Sequence, residues 1–495
     1  MTVYHINKGI GRASSGIEYA QKYRFDLVKD FKEKQYFVYC DCISSNLITF
    51  TDKIGIDQNY VLSAYKFLAG QKNRPSSLTV EAYVKNLPDG YKEIEKTDRA
   101  VVYENGIIRH KIWLVLENGM VDRVDLIVDK RLQEVHYFTD RLTSIEYYSN
   151  GEVNSRYFYD EAGSLSMRQY YANKEITLTM IGDKVLQGRS AFYTEFFNRL
   201  NFTNEDLIIV DRNQDLGDAL FPAKKDAKMI VVVHAEHFSQ SVEVDDWILW
   251  NNFYEYPFTN AKHVDRFIVS TLKQEETLRE QFDLIATKDN GIVTIPVGSI
   301  PEIADGSTVE ANKYKFLTAS RLAWEKHIDV LVKAVVKAKV NVPELTFSIY
   351  GSGKYEKDIR DLIKELNAGD YITMEGHKNL TDEYKKFGGY LTASGSEGFG
   401  LTILEAKGAC LPIVGLDVNY GNTEFVKSGV NGILVEKNEE DEQIENIAAA
   451  IFELTSNLDY QASVKFDQEK VADFTNDAVR GKWRDLYDEL IGGEK

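Results

Sequence analysis

The chain has 495 residues, 43% hydrophobic and 12% aromatic, with a formal net charge of −18 at neutral pH. That length exceeds a single core and predicts two or three domains, and the acidic balance argues against nucleic acid or an anionic membrane as the main partner. No apolar run reaches the ~18–20 residues of a membrane span, residues 1–5 carry no charged-then-apolar leader pattern, and three cysteines are too few for a disulfide framework.

Residues 2–7 predict a first strand, followed by the loop Lys8-Gly9-Ile10-Gly11-Arg12 and a helix starting at Ser14 or Ser15. Ser15-Gly16-Ile17-Glu18 reads as a capping box, hydroxyl first and carboxylate three residues on. Strand, glycine loop and capped helix is the layout of a nucleotide-facing turn in a doubly wound sheet, and also of a plain βα connection. Residues 36–40 predict a second parallel strand. Cys40 and Cys42 have no histidine beside them to complete a zinc site and, with Cys410, read as free thiols of a reducing compartment.

Beyond about residue 45 the pattern changes. Runs rich in aromatic and β-branched residues at 111–116, 121–128, 134–138, 144–148, 155–159, 166–171 and 176–180 alternate with turn signals such as Asn118-Gly119 and Asn150-Gly151. Consecutive hairpin signals predict an antiparallel meander, not βαβ units. Tyr147-Tyr148, Tyr157-Phe158-Tyr159 and Tyr170-Tyr171 place aromatics on both of its faces, one for the core and one for a partner or for solvent.

Parallel-type runs resume at 206–211 and 228–233, the latter ending in His234-Ala235-Glu236-His237. A histidine at the C-terminal end of such a strand sits where open α/β sheets bind ligands; a core histidine is the plain alternative. Residues 266–270 and 291–296 extend the sheet, and Pro296, Gly298 and Pro301 mark a linker into a second lobe. There a strand at 315–319 precedes Arg321 and Lys326 and a helix over 328–339. Two cations past a strand end suit a diphosphate leaving group without a metal, although the stretch taken alone reads rather as a solvated basic loop. Strands at 345–350 and 371–375 run into Gly351-Ser352-Gly353 and Gly376-His377.

The stretch 394–410 follows a buried run at 389–393 and places glycines at Gly395, Gly398 and Gly400 before an apolar-patterned helix. Such a loop approaches a ligand closely, and the helix start offers N–H groups to an anion. Glu397 and Glu405 bracket it, and carboxylates accept from sugar hydroxyls. Backbone donors between two acidic acceptors point to a sugar nucleotide; the bland alternative is a strand–loop–helix with an acidic surface. Further on, 411–415 predicts a strand, 436–445 a solvated acidic segment, and 476–490 a helix through Trp483, Leu486, Tyr487 and Leu490.

Glu397, seven residues and Glu405, together with Glu397-Gly398-Phe399-Gly400-Leu401, resemble the E-x7-E signature of retaining glycosyltransferases of family 4, and Arg321 with Lys326 resembles that family's upstream pair. One departure is His327, where the family often has glycine after the lysine. The resemblance covers nearly all of 1–45 and 190–490. It implies an α/β GT-B fold of two Rossmann-like lobes facing a cleft. The acceptor-side lobe would be 1–45 and 190–300 with a returning helix 471–495, the UDP-sugar lobe 301–470, and 46–189 a β-rich insertion in the first lobe. Residues 430–435 are similar to the family's late hairpin.

The resemblance also implies roles. Glu397 meets the donor sugar and Glu405 the ribose. Arg321, Lys326 and the amides of Phe399, Gly400, Leu401 and Thr402 hold the diphosphate. His234 lies near the sugar. Gly376 and His377 approach the base through backbone groups. Ser15 and Gly16 face the diphosphate or acceptor, with charge added by Lys8 and Arg12. No cofactor or metal is implied.

Gly9 to Ala20 is closer still to the catalytic subunits of bacterial transferases that glycosylate serine-rich-repeat adhesins before accessory Sec export. This implies retaining transfer of N-acetylglucosamine from UDP-GlcNAc to serine or threonine, in the cytoplasm or peripherally at the inner membrane face. It implies a non-catalytic partner subunit and the adhesin, both bound by the β-rich insertion. Two alternatives stand beside it. One is a wall teichoic acid α-glycosyltransferase, whose polyanionic acceptor suits an acidic chain poorly. The other is a non-catalytic sugar-binding subunit, which would have lost the cations or carboxylates. The choice between glucose and N-acetylglucosamine donors rests on pocket shape.

Overall fold

A computed structural model describes residues 1–11, 15–43, 47–239 and 248–492. They form two compact units: Met1–Phe25, Lys29–Val232 and Asn252–Asp265 in the first, and Asp26–Val28, Val233–Asn251 and Arg266–Lys495 in the second. Among the described residues no helix is long and apolar enough to cross a membrane.

The first unit begins with β1 (Thr2–Asn7), β2 (Lys34–Tyr39) and β3 (Val61–Ser63). Ten strands follow: β4 (Lys92–Lys96), β5 (Ala100–Glu104), β6 (Ile108–Leu114), β7 (Val121–Val128), β8 (Arg131–Phe138), β9 (Leu142–Ser149), β10 (Glu152–Tyr159), β11 (Leu165–Ala172), β12 (Glu175–Ile181) and β13 (Lys184–Gln187). The chain then returns through β14 (Leu207–Val210) and β15 (Lys228–Val233).

The parallel strands run in the order β15-β14-β1-β2-β3. Their apolar runs are nearly continuous because both faces are covered; Val3, Ile6, Phe37, Val38, Leu207 and Ile209 are fully buried. The helix Gly16–Val28 joins β1 to β2 and is capped by Ser15 and Glu18 as the sequence predicts: Ser15 Oγ accepts from the Ile17 N–H (3.4 Å) and Glu18 accepts from the Ser15 N–H (2.5 Å). A buried polar chain locks that helix to the strand ends. Asn7 donates to Gln21 (2.9 Å), Gln21 donates to Asp211 (2.8 Å), and Arg24 pairs with Asp211.

The ten inserted strands pair in sequence order, every neighbour antiparallel. One face packs Ile112, Val124 and Phe138 beneath the short helix Val80–Val84. The other carries a hydrogen-bonded polar row: Arg156 donates to Glu146 (2.6 Å) and Tyr171 Oη (3.0 Å), Tyr171 to Gln169 (2.6 Å) and Gln169 to Thr179 (3.2 Å). Where this face meets the ends of β1 and β2, a cavity of about 300 Å³ is lined by Lys8, Asp41, Tyr65, Arg156, Tyr171 and Arg189, among others. Three strands of the meander lie outside the runs found in the sequence. β4 reads Lys-Glu-Ile-Glu-Lys and is exposed along its length, a charged edge with little β-propensity. The parallel sheet also draws β3 from inside 46–189.

The second unit holds the parallel pair β16 (Arg266–Val269) and β17 (Ile292–Thr294). It also holds β18 (Lys315–Ala319), β19 (Thr346–Tyr350), β20 (Ile372–Gly376), β21 (Gly389–Leu391), β22 (Ile413–Leu416) and β23 (Gly432–Val435). These six form one parallel sheet in the order β20-β19-β18-β21-β22-β23. The late hairpin expected at 430–435 is instead a parallel neighbour of β22, Ile413 facing Gly432. The link between them passes through the helix Gly421–Phe425, a crossover and not a tight turn. The last helix, Asn476–Ile491, buries Trp483, Leu486, Tyr487 and Ile491, and Arg480 Nε donates to the Leu27 carbonyl (3.3 Å).

Candidate functional site

The sheet of the second unit sets the site. β21 delivers the loop 392–400 to the helix Leu401–Gly408, whose N-cap is Gly400 in the left-handed conformation, φ 82°. No side chain caps this helix, so its first N–H groups keep the partial positive charge that favours an anion. The glycines are needed because other backbone comes too close. A Cβ on Gly398 would lie 2.4 Å from the His234 carbonyl oxygen, and one on Gly421 would lie 2.1 Å from the Phe399 oxygen. Glu397 is pinned through its main chain: its oxygen accepts from Tyr420 (2.8 Å) and Gly421 (2.9 Å), and its N–H donates to Asn419 (3.2 Å). Ser396 Oγ donates to Glu236 (3.3 Å) and Lys437 Nζ donates to the Gly395 oxygen (3.2 Å).

β18 delivers the cations. Lys326 ends a single turn, Trp324–Lys326, and donates to Glu397 Oε2 at 2.7 Å, both side chains 22% exposed. His327 follows with φ 46°. It adopts the left-handed conformation that glycine favours, so the backbone shape of the loop survives the loss of glycine. Arg321 is half exposed and pairs with Glu325 (2.7 Å). The turn Gly351-Ser352-Gly353 is pressed on this segment: a Cβ on Gly351 would sit 1.9 Å from Ser320 O, and one on Gly353 2.1 Å from Leu322 O. Gly376, φ 73°, accepts from the Gly351 N–H (2.8 Å), and His377 beside it is exposed.

Lys326, Glu397 and Thr402 line one small pocket, about 20 Å³, with Ser320, Tyr390 and Ser394. Two tyrosines not singled out in the sequence hold the helix beside it, Tyr390 in the wall itself and Tyr384 outside it. Tyr390 Oη donates to Ala319 O (3.0 Å) and lies 2.8 Å from Thr402 Oγ1; burial pushes its pKa up to about 12, so it stays a neutral donor. Tyr384 Oη donates to Glu405 Oε2 (2.9 Å). For Tyr390 the available signal was a tyrosine in a buried strand, whose hydroxyl needs a partner.

His234 is half-buried at the end of β15, and what it presents to Gly398 is its carbonyl. His237 is a core histidine. It is fully buried, stacks between Trp250 and Tyr420 (both 6.1 Å between centroids), hydrogen-bonds Gln281 (2.7 Å), and burial lowers its pKa to about 4.

Ser15 and Gly16 belong to the first unit. Ser15 Oγ accepts from Arg212 (2.9 Å), a cation not singled out in the sequence, which also pairs with Glu18 (3.2 Å). A Cβ on Gly16 would meet nothing within 4 Å. Lys8 pairs with Asp215, which also receives Arg189 (3.2 Å). Arg12 and Ser14 lie outside the described residues. Among the described residues no group of three or more His, Cys, Asp and Glu is placed to hold a metal ion.

The family model for glycosyl transferases group 1 matches residues 299–462. The UDP-N-acetylglucosamine–peptide N-acetylglucosaminyltransferase GtfA subunit of Streptococcus pneumoniae serotype 4 is 38% identical over 99% of this chain and 100% of its own. The crystal structure of the pneumococcal O-GlcNAc transferase GtfA in complex with UDP and GlcNAc matches with a TM-score of 0.92 at 37% identity, covering 99% of each chain. A crystal structure of a GtfA/B complex matches with a TM-score of 0.88 at 35% identity, over 99% of this chain and 100% of that one. The fold is the GT-B fold expected from the sequence.

Proposed function

The chain belongs to the family of GtfA subunits of UDP-N-acetylglucosamine–peptide N-acetylglucosaminyltransferases, and from that premise we propose that it transfers N-acetylglucosamine from UDP-GlcNAc to serine or threonine hydroxyls of a serine-rich-repeat surface adhesin before export. The observation that carries this reading is the pairing of Lys326 with Glu397 beside an uncapped helix start, with Glu405 one turn inside that helix.

Transfer loosens the sugar C1–O bond, and negative charge collects on the departing diphosphate. Lys326, Arg321 and the N–H groups of Phe399, Gly400, Leu401 and Thr402 receive that charge. Glu397 accepts from the sugar hydroxyls and Glu405 from the ribose. Gly376 and His377 meet the base through their backbone, and the His234 carbonyl helps shape the loop that faces the sugar. Ser15 and Gly16, with Arg212, serve the diphosphate or acceptor side. The acceptor hydroxyl attacks on the face the leaving group vacates, its proton passing to the UDP phosphate, so configuration is retained. The leaving-group charge is assigned to the chain's own donors, so turnover is expected to persist in EDTA.

The family favours a peptide hydroxyl over a teichoic acid, and the presence of Arg321, Lys326, Glu397 and Glu405 favours an enzyme over a sugar-binding subunit. In this reading 1–45 and 190–300, with 471–495, form the acceptor-side lobe and 301–470 the donor lobe. The β-rich insertion, 46–189, takes the non-catalytic partner subunit and the adhesin, in keeping with the GtfA/B complex of the related structure. The site of action is the cytoplasm or the inner face of the membrane. The test is the intact mass of a serine-rich peptide incubated with this chain, its partner subunit and single UDP-sugars. A gain of about 203 Da per event marks an N-acetylhexosamine, and about 162 Da a hexose. Absence of any gain, with the partner present, overturns the reading.

A further inference from the structure

We propose that Tyr384 is a positioning residue for donor binding: its buried hydroxyl holds the Glu405 carboxylate in the one orientation that meets the ribose diol. This rests on the reading that Glu405 accepts from the ribose.

Tyr384 opens the short turn Tyr384–Lys386 ahead of β21 and is 3% exposed. Its hydroxyl donates to Glu405 Oε2 at 2.9 Å and lies 3.4 Å from the Thr402 carbonyl, one turn earlier on the same helix. Glu405 is half-buried. A glutamate has three side-chain rotors, and ordering them on binding costs free energy. A phenol donating to a carboxylate is a charge-assisted hydrogen bond, among the stronger kinds. It is also a rigid anchor here, because the ring is itself fixed. Its neighbour Tyr390 lies 6.5 Å away between centroids, and Thr308 Oγ1 donates to the Lys385 carbonyl (2.9 Å), tethering the turn. A carboxylate offers about four acceptor positions, so one phenol is compatible with a diol that also donates.

The two tyrosines act on one short helix. Tyr390 ties its first turn, at Thr402, to Ala319 at the end of β18, just ahead of Arg321. Tyr384 then fixes Glu405 one turn further in. The diphosphate-facing helix start and the ribose-facing carboxylate are thereby set in register with each other. Preorganisation of this kind strengthens ground state and transition state alike, so its loss raises KM and leaves kcat unchanged.

The experiment compares UDP and 2′-deoxy-UDP binding by calorimetry to the wild type, Tyr384→Phe and Glu405→Gln, with KM and kcat for UDP-GlcNAc and thermal midpoints alongside. Tyr384→Phe keeps the ring and its packing. It is expected to weaken UDP on the order of 10-fold, to leave 2′-deoxy-UDP within about two-fold, and to raise KM at constant kcat. Glu405→Gln is expected to erase the preference for UDP over 2′-deoxy-UDP. If Glu405→Gln erases that preference while Tyr384→Phe weakens both nucleotides equally or neither, the positioning role is overturned and the ribose reading stands. If Glu405→Gln weakens both equally, the ribose reading fails and the positioning role with it.

Discussion

Lys326 and Glu397 meet in an ion pair, Nζ to Oε2 at 2.7 Å, with four-fifths of each side chain shielded from water. Each compensates the other's desolvation, so removing one leaves a partly buried lone charge as well as a missing ligand group. We expect Lys326→Ala and Glu397→Gln each to lower kcat by about 10²–10³-fold. The double variant should lose far less than the product of the two, because the pair acts as a unit. Release of UDP in the presence of acceptor peptide and partner subunit measures all three.

Gly398→Ala tests the loop. The added methyl would sit 2.4 Å from the His234 oxygen and 3.0 Å from the Ala235 Cα, both backbone atoms that no side-chain rotation can clear. We expect a stability loss of about 1–3 kcal/mol and a fall in turnover larger than Gly16→Ala produces, since no described atom crowds Gly16. Thermal midpoints and UDP release check the comparison.

Two buried histidines make the chain acid-labile. Burial, as the main cause, lowers His5 to about 3 and His237 to about 4, from an ordinary 6.5. Between roughly pH 4 and 6.5 the unfolded chain binds these protons and the folded chain does not, so the histidines' contribution to stability is lost as pH drops through that window and is fully present above it. Each histidine contributes up to about 1.4 kcal/mol per pH unit there. The unfolding midpoint of His237→Gln should therefore depend less on pH between 4.5 and 6.5, as roughly spaced urea titrations across that span would reveal.

Lys407 and Asp467 are both fully buried. Lys407 donates to the Asn431 oxygen (2.6 Å) and Asp467 (3.2 Å), and Asn431 donates to Asp467 (2.6 Å). Burial lowers the lysine's pKa and raises the aspartate's. Lys407→Ala should cost about 3–5 kcal/mol in urea unfolding, and Lys407→Met with Asp467→Leu should recover much of it.

What was legible in the sequence was local. Glu397, Gly398, Gly400 and Glu405 lie within nine residues; Gly398 reflects backbone proximity that no other residue type permits, and Gly400 a left-handed φ of 82° that glycine favours. The hairpin turns were legible because Asn150 and Gly151 supply the positive φ such turns require (52° and 81°). What was hidden depends on partners distant along the chain. Tyr384 finds Glu405 twenty-one residues on, and Arg212 finds Ser15 at a separation of 197. The direction of β23 was hidden for a related reason: a four-residue apolar run carries no sign of whether its neighbour runs parallel or antiparallel. His237 shows the converse, a histidine at a promising strand end whose surroundings are simply core.

β1 pairs with β2 on one side and β14 on the other, Val3 facing Leu207, so the strand made first waits for its second neighbour some 200 residues later. At ~5–20 residues per second, a ribosome needs about 10–40 s to deliver it. Each meander strand, by contrast, finds its neighbour within a short hairpin. All ten strands of the meander are therefore synthesised while the parallel sheet still lacks β14 and β15, and their pairing needs nothing that the ribosome has yet to deliver.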